Sequence, residues 1–316
     1  MRRGCPRSAL LTQPPNPLRS LRVDADLDTL VTALYVEIDD LIPRPRGRGR
    51  QPLLSSAELL CLAVMQVLLR YPSERHWLRY ARKHLRGMFP YLPGQDGYNK
   101  RMRKAGPLLA MVMRHLATRT PSWHDSLRLI DSTPLPCAAS RETVKRSELA
   151  GDAGYGYCAS HSRFFWGFRL YLVCAADGLP VIWGLADPKL GEREVMAALL
   201  QADHHLIQSG QVLLGDKGFA GREFETFVTE QLGAHFVRPD RKNEPVRFGN
   251  LGRVRQWVEA VFDTLKGQLD LEAHGGRTLP GVFVRVAQRL LAMTTVIWHN
   301  WAIGAPVKRS LIAYDH

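Results

Sequence analysis

Cysteine is scarce in this chain of 316 residues, which holds 5 cysteines, no CxxC pair and no Cys/His cluster of zinc-finger spacing. That scarcity excludes a disulfide-rich secreted domain and a zinc finger, and we expect a reducing, cytoplasmic environment. Long apolar segments are also missing. Residues 53–69 are too few and too interrupted, and residues 279–298 carry Arg285 and Arg289. A bilayer-spanning helix needs about 20 predominantly apolar residues, so we expect no membrane span and no membrane partner.

Acidic residues are few relative to basic ones, since 30 Asp and Glu stand against 43 Lys and Arg and give a formal net charge of +13. Such a surplus favours a polyanionic partner, because neutralising phosphates releases condensed counterions. Nucleic acid is the first expectation. From charge alone, two alternatives stay open: a basic protein that is merely soluble, and a protein that lies on an anionic membrane surface.

The N-terminal third divides into a leader and a helical region. Residues 1–24 hold no apolar run of signal-peptide length and are interrupted by prolines, so we predict a disordered basic leader. Residues 25–120 show helical periodicity and predict an all-α domain, in which residues 43–52 form a basic linker. A break at Tyr71 and Pro72 separates two helices that fit a helix-turn-helix DNA-binding unit.

The second of those helices carries basic residues at steps of three and four, which places them on one face. This basic stripe consists of Arg75, Arg79, Arg82, Lys83 and Arg86. We expect the stripe to contact DNA phosphates, with Trp77 and Tyr80 packed inward. The alternative is an ordinary solvated basic surface.

Short β-branched and aromatic runs begin near residue 125, so residues 121–305 predict an α/β domain, followed by a tail at 306–316. Asp177 and Gly178, between two apolar runs, predict an antiparallel hairpin. Helical segments then alternate with further strands, as in crossovers onto parallel strands. The expected order is three strands, helix, strand, helix, strand, helix.

Three acids stand out in this second region. Asp131 ends the run LRLID and Asp216 ends QVLLGD, and strand ends expose functional side chains at one edge of a sheet. Either aspartate alone also fits a turn or a helix cap. Glu259 lies on a helix with Arg255 and Lys266 at steps of four and seven residues, so the three share one side. An exposed ion-pair ladder is the alternative for that helix.

Three carboxylates on two strands and a helix, in a basic chain, fit two hard divalent cations. Mg²⁺ prefers oxygen ligands and keeps open positions for phosphate and water. Two such ions activate a nucleophile and stabilise a leaving oxygen. The residues therefore favour phosphodiester chemistry at a site built from Asp131, Asp216 and Glu259.

The DSTP strand end, the LLGDKGFAG segment and the R-x-x-x-E-x-x-x-x-x-x-K helix occur in that order. In these motifs the chain resembles the DDE transposases of bacterial insertion sequences, most closely the IS982-type group among the IS4 and IS5 relatives. The resemblance covers about residues 25–300 and implies an RNase H-like catalytic core, a mixed sheet with helices, preceded by the helical domain. It also implies that Asp131, Asp216 and Glu259 are catalytic and bind two Mg²⁺ ions, with Mn²⁺ as a substitute.

The same resemblance implies DNA contacts beside the three acids. Arg255 and Lys266 flank the glutamate and match positions that contact DNA phosphates. Lys217, next to the second aspartate, is a further DNA contact or, equally, an exposed strand-end lysine. Gly252 departs from the wider pattern, which has a tyrosine three residues before the arginine. That departure weakens an assignment to the IS4 branch and leaves the three acids unaffected.

A polar, basic stretch separates Asp131 from the predicted hairpin and offers candidates for a DNA groove with stacking faces. The candidates are the basic residues Arg141, Lys145, Arg146, His161, Arg163 and Arg169 and the aromatic residues Tyr155, Tyr157 and Trp166. A mobile loop with a partly buried tryptophan is the alternative. We interpret His161 as a DNA or structural contact rather than a metal ligand.

The function implied by the resemblance is that of a transposase acting on double-stranded DNA. It binds the terminal inverted repeats of its own element, frees 3′-hydroxyl ends and joins them to target DNA. Two alternatives stay open: an RNase H-like nuclease that cuts without joining, and a domesticated, non-catalytic DNA-binding regulator. Synapsis of two ends implies a homodimer or a larger assembly, and the expected location is the bacterial cytoplasm, at the nucleoid.

Overall fold

The computed structural model of the chain describes residues 26–42, 52–158, 162–241, 244–247, 251–305, 311 and 314, without the side chains of residues 252–255. The predicted leader, His161, nearly all of the predicted linker and most of the tail lie outside the described residues. The side chain of Arg255 lies outside them as well.

Five helices form the described part of the N-terminal region, as the helical periodicity predicts. They are α1 (Leu27–Leu41), α2 (Ser56–Leu68), α3 (Glu74–His84), α4 (Gln95–Lys104) and α5 (Gly106–Thr118). A capping box between Ser55 and Glu58 starts α2. The Ser73 side chain accepts a hydrogen bond from the His76 amide and starts α3.

The remainder alternates strands and helices. The strands are β1 (Leu127–Ala138), β2 (Gly154–Cys158), β3 (Arg163–Cys174), β4 (Pro180–Ala186), β5 (Val212–Leu214) and β6 (His235–Val237). The helices are α6 (Arg141–Arg146), α7 (Glu192–Ala202), α8 (Arg222–Thr226), α9 (Gly252–Asp263) and α10 (Leu279–Ala302). A short 3₁₀ turn, Lys217–Phe219, follows β5, and a π-helical turn, Thr264–Gln268, follows α9.

One mixed sheet joins all six strands. Strand β1 pairs antiparallel with β3 and parallel with β5, and β6 extends the parallel side. The long strand β3 pairs antiparallel with β2 along its first half and with β4 along its second half. The hairpin between β3 and β4 turns at Gly178, whose φ of 97° favours glycine. This arrangement confirms the predicted α/β class with an RNase H-like core.

The stretch between Asp131 and the hairpin contains a helix and a strand, whereas the sequence leaves a mobile loop as one alternative. Residues 141–146 form α6, and residues 154–158 form β2, the strand that sequence reasoning missed. The sequence of β2, GYGYC, lacks an apolar alternation, and two glycines weaken its strand propensity. It forms a strand because it pairs with β3, and the sequence of the segment alone does not reveal that pairing.

Helices cover both faces of the sheet. Successive residues of a strand point to opposite faces, so Leu129 joins the core shared with the N-terminal helices, α9 and α10, while Ile130 joins the core under α7 and α8. The N-terminal helices therefore share one core with the sheet. Helix α10 is long and apolar enough to span a membrane, and 89% of its apolar window is buried inside the protein.

Candidate functional site

Asp131 and Asp216 lie at the same level on neighbouring parallel strands. In the pairing of β1 with β5, Leu129 stands opposite Leu214, and each aspartate follows two residues later. Since side chains alternate, each aspartate keeps the face of its leucine. Leu129 and Leu214 both belong to the core under α9 and α10, so both carboxylates lie on that face. The prediction that Asp131 ends its strand is wrong, because β1 continues to Ala138 through its pairing with β3.

Each aspartate also makes a local hydrogen bond. Asp131 Oδ1 accepts from the Ser132 amide at 2.7 Å, and Asp216 Oδ1 accepts from the Gly218 amide at 2.7 Å. Asp216 thus caps the 3₁₀ turn that follows β5. The cap uses one carboxylate oxygen, and an ionised carboxylate has two, so capping and metal binding are compatible roles.

Glu259 lies on α9, which packs against β1. Val258, Val261 and Phe262 bury the inner side of this helix, and Glu259 is exposed. The helix carrying the third acid therefore covers the face on which the two aspartates lie. Within the part of the chain that the structure describes, no three His, Cys, Asp or Glu side chains are close enough together to hold a metal ion.

The donor set fits a hard divalent cation in its chemistry, since all three candidate ligands offer carboxylate oxygens. The structure places Asp131 and Asp216 at the same level on neighbouring strands, and within the described residues the three acids do not form a group close enough to hold a metal ion.

Two of the predicted DNA-binding residues converge on one acid. Lys266 Nζ lies 3.6 Å from Glu272, and Arg163 Nη2 lies 3.3 Å from the other oxygen of the same carboxylate. Lys266 belongs to the π-helical turn, so the 3.6-residue period used to align it with Glu259 does not hold there. A DNA phosphate has the charge and oxygen geometry to replace Glu272 between these cations.

Arg169 is engaged with protein groups. Its guanidinium Nη1 donates to Ser132 Oγ at 2.9 Å and to Glu192 Oε1 at 3.1 Å. The Ser132 hydroxyl also donates to Glu192. Sequence reasoning missed Glu192, because its sequence signal is an acid in the first turn of a helix, which is common.

The predicted basic stripe lies on the surface. Arg75, Arg79, Arg82 and Lys83 of α3 are exposed, and Lys217 is exposed beside the aspartate at the end of β5. The prediction that Trp77 packs inward is confirmed, since its side chain is fully buried. Tyr80 is partly buried and stacks on His84, with 4.5 Å between the ring centroids.

Some of the groove candidates line a cavity of about 540 Å³ between α6 and the β2–β3 pair. Arg141, Arg163 and Tyr155 contribute to its walls. Trp166 is only 4% exposed and offers no stacking face, whereas Phe164, which sequence reasoning passed over, is 76% exposed. Its cross-strand partner Tyr157 lies 4.9 Å away between ring centroids.

The cysteines form no disulfide in the described part of the chain. Cys61, Cys137, Cys158 and Cys174 are all free of disulfides. Burial raises the pKa of the Cys137 thiol to about 12, which disfavours the reactive thiolate. Its neighbour His274, 3.8 Å away, has a pKa lowered to about 4, first by burial and then by the charge of Arg289.

Comparison with known proteins identifies the family. The family model described as "Transposase DDE domain" matches residues 122–295, more than half of the chain. No curated protein sequence matches significantly. Among solved structures, the chain is similar to a chain of the piggyBac transposase synaptic complex with hairpin DNA, at 10% sequence identity and a TM-score of 0.39, covering 90% of this chain and 81% of that one. The protein belongs to the transposase DDE domain family, whose members cut and join DNA.

Proposed function

We propose that the protein is an insertion-sequence transposase, with the IS982-type likeness as its nearest subgroup. It binds the terminal inverted repeats of its own element, hydrolyses phosphodiester bonds to free 3′-hydroxyl ends and joins those ends to target DNA. The observation that carries the proposal is the level placement of Asp131 and Asp216 on adjacent parallel strands within a DDE domain. Glu259, on the helix that covers the same face, completes the acid set.

Asp131, Asp216 and Glu259 would hold the divalent cations, two Mg²⁺ ions with Mn²⁺ as a substitute. When bound, such a pair supplies Lewis acidity toward the attacking and leaving oxygens of an in-line displacement. The contribution of the chain is positional. Strands β1 and β5 fix two carboxylates relative to each other, and α9 brings the third.

The two chemical steps balance without a protein adduct. In hydrolysis, the oxygen of water forms a bond to phosphorus, the phosphorus–O3′ bond breaks, and O3′ ends as a hydroxyl. In joining, that hydroxyl oxygen forms a bond to a target phosphorus, loses its proton, and the target O3′ leaves. Ser132 is held by Glu192 and Arg169, Thr133 is buried, and Cys137 has a raised pKa, which supports a mechanism without a side-chain nucleophile.

DNA binding is assigned to the basic surfaces. Lys217, Lys266 and Arg255 neighbour the acids in sequence, and Arg163 lines the cavity beside α6. The stripe on α3 is the candidate for recognition of element ends by the helical region at residues 25–120. Phosphate contacts of this kind position the duplex without reading its sequence. Synapsis of two ends calls for a homodimer or larger assembly at the nucleoid in the bacterial cytoplasm.

The proposal is tested with the DNA that flanks the reading frame. A duplex that contains the flanking inverted repeat is expected to be bound, nicked in Mg²⁺ at the element end, and joined to a target plasmid. Cleavage without joined products would establish the nuclease alternative. Binding without cleavage in Mg²⁺ or Mn²⁺ would establish the regulator. No preference for the repeat over random duplex would contradict end recognition.

A further inference from the structure

A polar network lies directly beside the first aspartate. Glu192, in the first turn of α7, accepts a hydrogen bond from Ser132, the residue that follows Asp131. Arg169 on β3 donates to both of them and completes a three-residue cycle. The carboxylate of Glu192 is 30% exposed and the guanidinium of Arg169 21% exposed, so solvent screens this ion pair only in part.

The same glutamate approaches the second aspartate. A Cβ placed on Gly218 would lie 2.9 Å from Asp216 Oδ1 and 3.1 Å from Glu192 Oε2. Both carboxylates thus face one point on the turn that Asp216 caps, and α7 packs against that turn. The absence of a side chain at Gly218 allows this approach.

A buried aromatic side chain lies on the inner side of the network. Tyr171 stands opposite Ser132 in the pairing of β1 with β3, and directly opposite residues of an antiparallel pair share a face. Its side chain is fully buried under α7 and α8. The buried side chain of Tyr171 therefore lies on the inner side of Ser132, and the Glu192 carboxylate meets Ser132 within β1 and the turn at Gly218.

We propose that Glu192 is a positioning residue that fixes Asp131 and Asp216 relative to each other, through Ser132 on one side and the Lys217–Phe219 turn on the other. The inference rests on the proposed function, because it assigns those aspartates as cation ligands. Glu192 contacts protein groups in this network: Arg169 forms an ion pair with it, and the Ser132 hydroxyl donates a hydrogen bond to one of its carboxylate oxygens. Arg169 serves this network rather than DNA.

The test is Mn²⁺ affinity of the full-length protein, measured by electron paramagnetic resonance without DNA. Glu192→Gln keeps the size of the side chain and removes the charge that holds Arg169. We expect its Kd for Mn²⁺ to rise by about 10- to 100-fold, the range for residues that orient metal ligands. Glu194→Gln, an exposed acid two residues along the same helix, is the matched control and should bind like wild type.

A second variant approaches the network from the other side. Gly218→Ala puts a methyl group between the carboxylates of Asp216 and Glu192 and should weaken Mn²⁺ binding to a similar degree. Combining Glu192→Gln with Arg169→Gln should weaken binding little further than Glu192→Gln alone, since both disrupt one network. Melting temperatures in EDTA should stay close to wild type for the single variants.

Each outcome decides between distinct claims. Wild-type Mn²⁺ affinity in Glu192→Gln, with normal binding by the unmodified protein, would overturn the positioning role and leave the proposed function standing. Loss of affinity matched by a large fall in melting temperature in EDTA, in both Glu192→Gln and Gly218→Ala, would make the role structural and overturn the inference. Absence of Mn²⁺ binding by the unmodified protein would overturn the proposed function together with this inference.

Discussion

Glu74 and Arg285 form a buried ion pair that ties α3 to α10. Glu74 is 8% exposed, and the Asn99 amide donates to both of its oxygens at 3.1 Å. Burial lowers the pKa of Arg285 to about 10. A helix of the N-terminal region and a helix of the α/β region are thereby joined through one desolvated contact.

Removing the acid from this pair should destabilise the whole chain. Glu74→Ala leaves Arg285 buried without its counter-charge, and breaking a buried pair in this way costs about 3–5 kcal/mol. For a chain of this size the melting temperature should fall by roughly 6–10 °C. Glu142→Ala, which removes an exposed pair with Lys145, is the control and should change the melting temperature little. Equal shifts in the two variants would contradict the account of Glu74.

His274 should make stability depend on pH. Its Nδ1 accepts from the Gly276 amide at 3.0 Å and its Nε2 lies 3.2 Å from the Pro136 carbonyl oxygen, so the folded protein holds the ring neutral. Its folded pKa of about 4 is below the usual 6.5. As pH falls from 6.5 to 4, the unfolded chain takes up a proton that the folded one does not, and roughly 3 kcal/mol of stability is lost.

The contribution of His274 is isolated by comparison with His274→Gln. Thermal melting between pH 7 and pH 4 should fall more steeply for the unmodified protein, because the variant lacks the titrating group. Both proteins share the carboxylates that also titrate in this range, so the difference between the two curves reports His274. Parallel curves would show that His274 is solvated or charged in the folded state.

The stripe on α3 should account for part of the salt dependence of DNA binding. Log affinity should fall linearly with log salt, and each lost phosphate contact should reduce the slope by about 0.9. Arg75→Gln with Arg79→Gln is therefore expected to lower the slope by nearly 2. The control, Lys189→Gln with Arg222→Gln, removes the same charge from exposed positions elsewhere. Equal slopes for the two double variants would reject α3 as a DNA contact.

The strands near the two aspartates could be predicted from local sequence. LRLID and QVLLGD are apolar runs that stop at an acid, and the two runs form strands that pair with each other. The predicted end of the first strand is wrong, because β1 continues to Ala138 and Asp131 lies within it. The hairpin at Asp177 and Gly178 follows from turn chemistry in the same way. These features depend on residues close together in the chain.

The network around Glu192 could not be predicted, because it depends on long-range contacts. Ser132 and Glu192 are 60 residues apart and Arg169 and Ser132 are 37 apart, and no periodicity relates such positions. The ion pair of Lys266 with Glu272 is hidden for another reason. Lys266 lies within a π-helical turn, which a fixed 3.6-residue period does not anticipate.

The central claim is that Asp216 is a cation ligand as well as a cap. Asp216→Asn keeps an oxygen that accepts from the Gly218 amide, so the 3₁₀ turn and the melting temperature should be preserved. It removes the negative charge that a divalent cation needs. Asp131→Asn and Glu259→Gln should behave alike if the three acids act as one set.

The most direct measurement is Mg²⁺-dependent nicking of a duplex that contains the element end, for the unmodified protein and Asp216→Asn at equal DNA occupancy. The unmodified protein is expected to nick the duplex, and Asp216→Asn, while folded and bound to DNA, is expected to lose nicking by a factor of at least about 10³, equivalent to about 4 kcal/mol. Nicking by Asp216→Asn at a rate close to that of the unmodified protein would contradict the account and leave Asp216 as a turn cap alone.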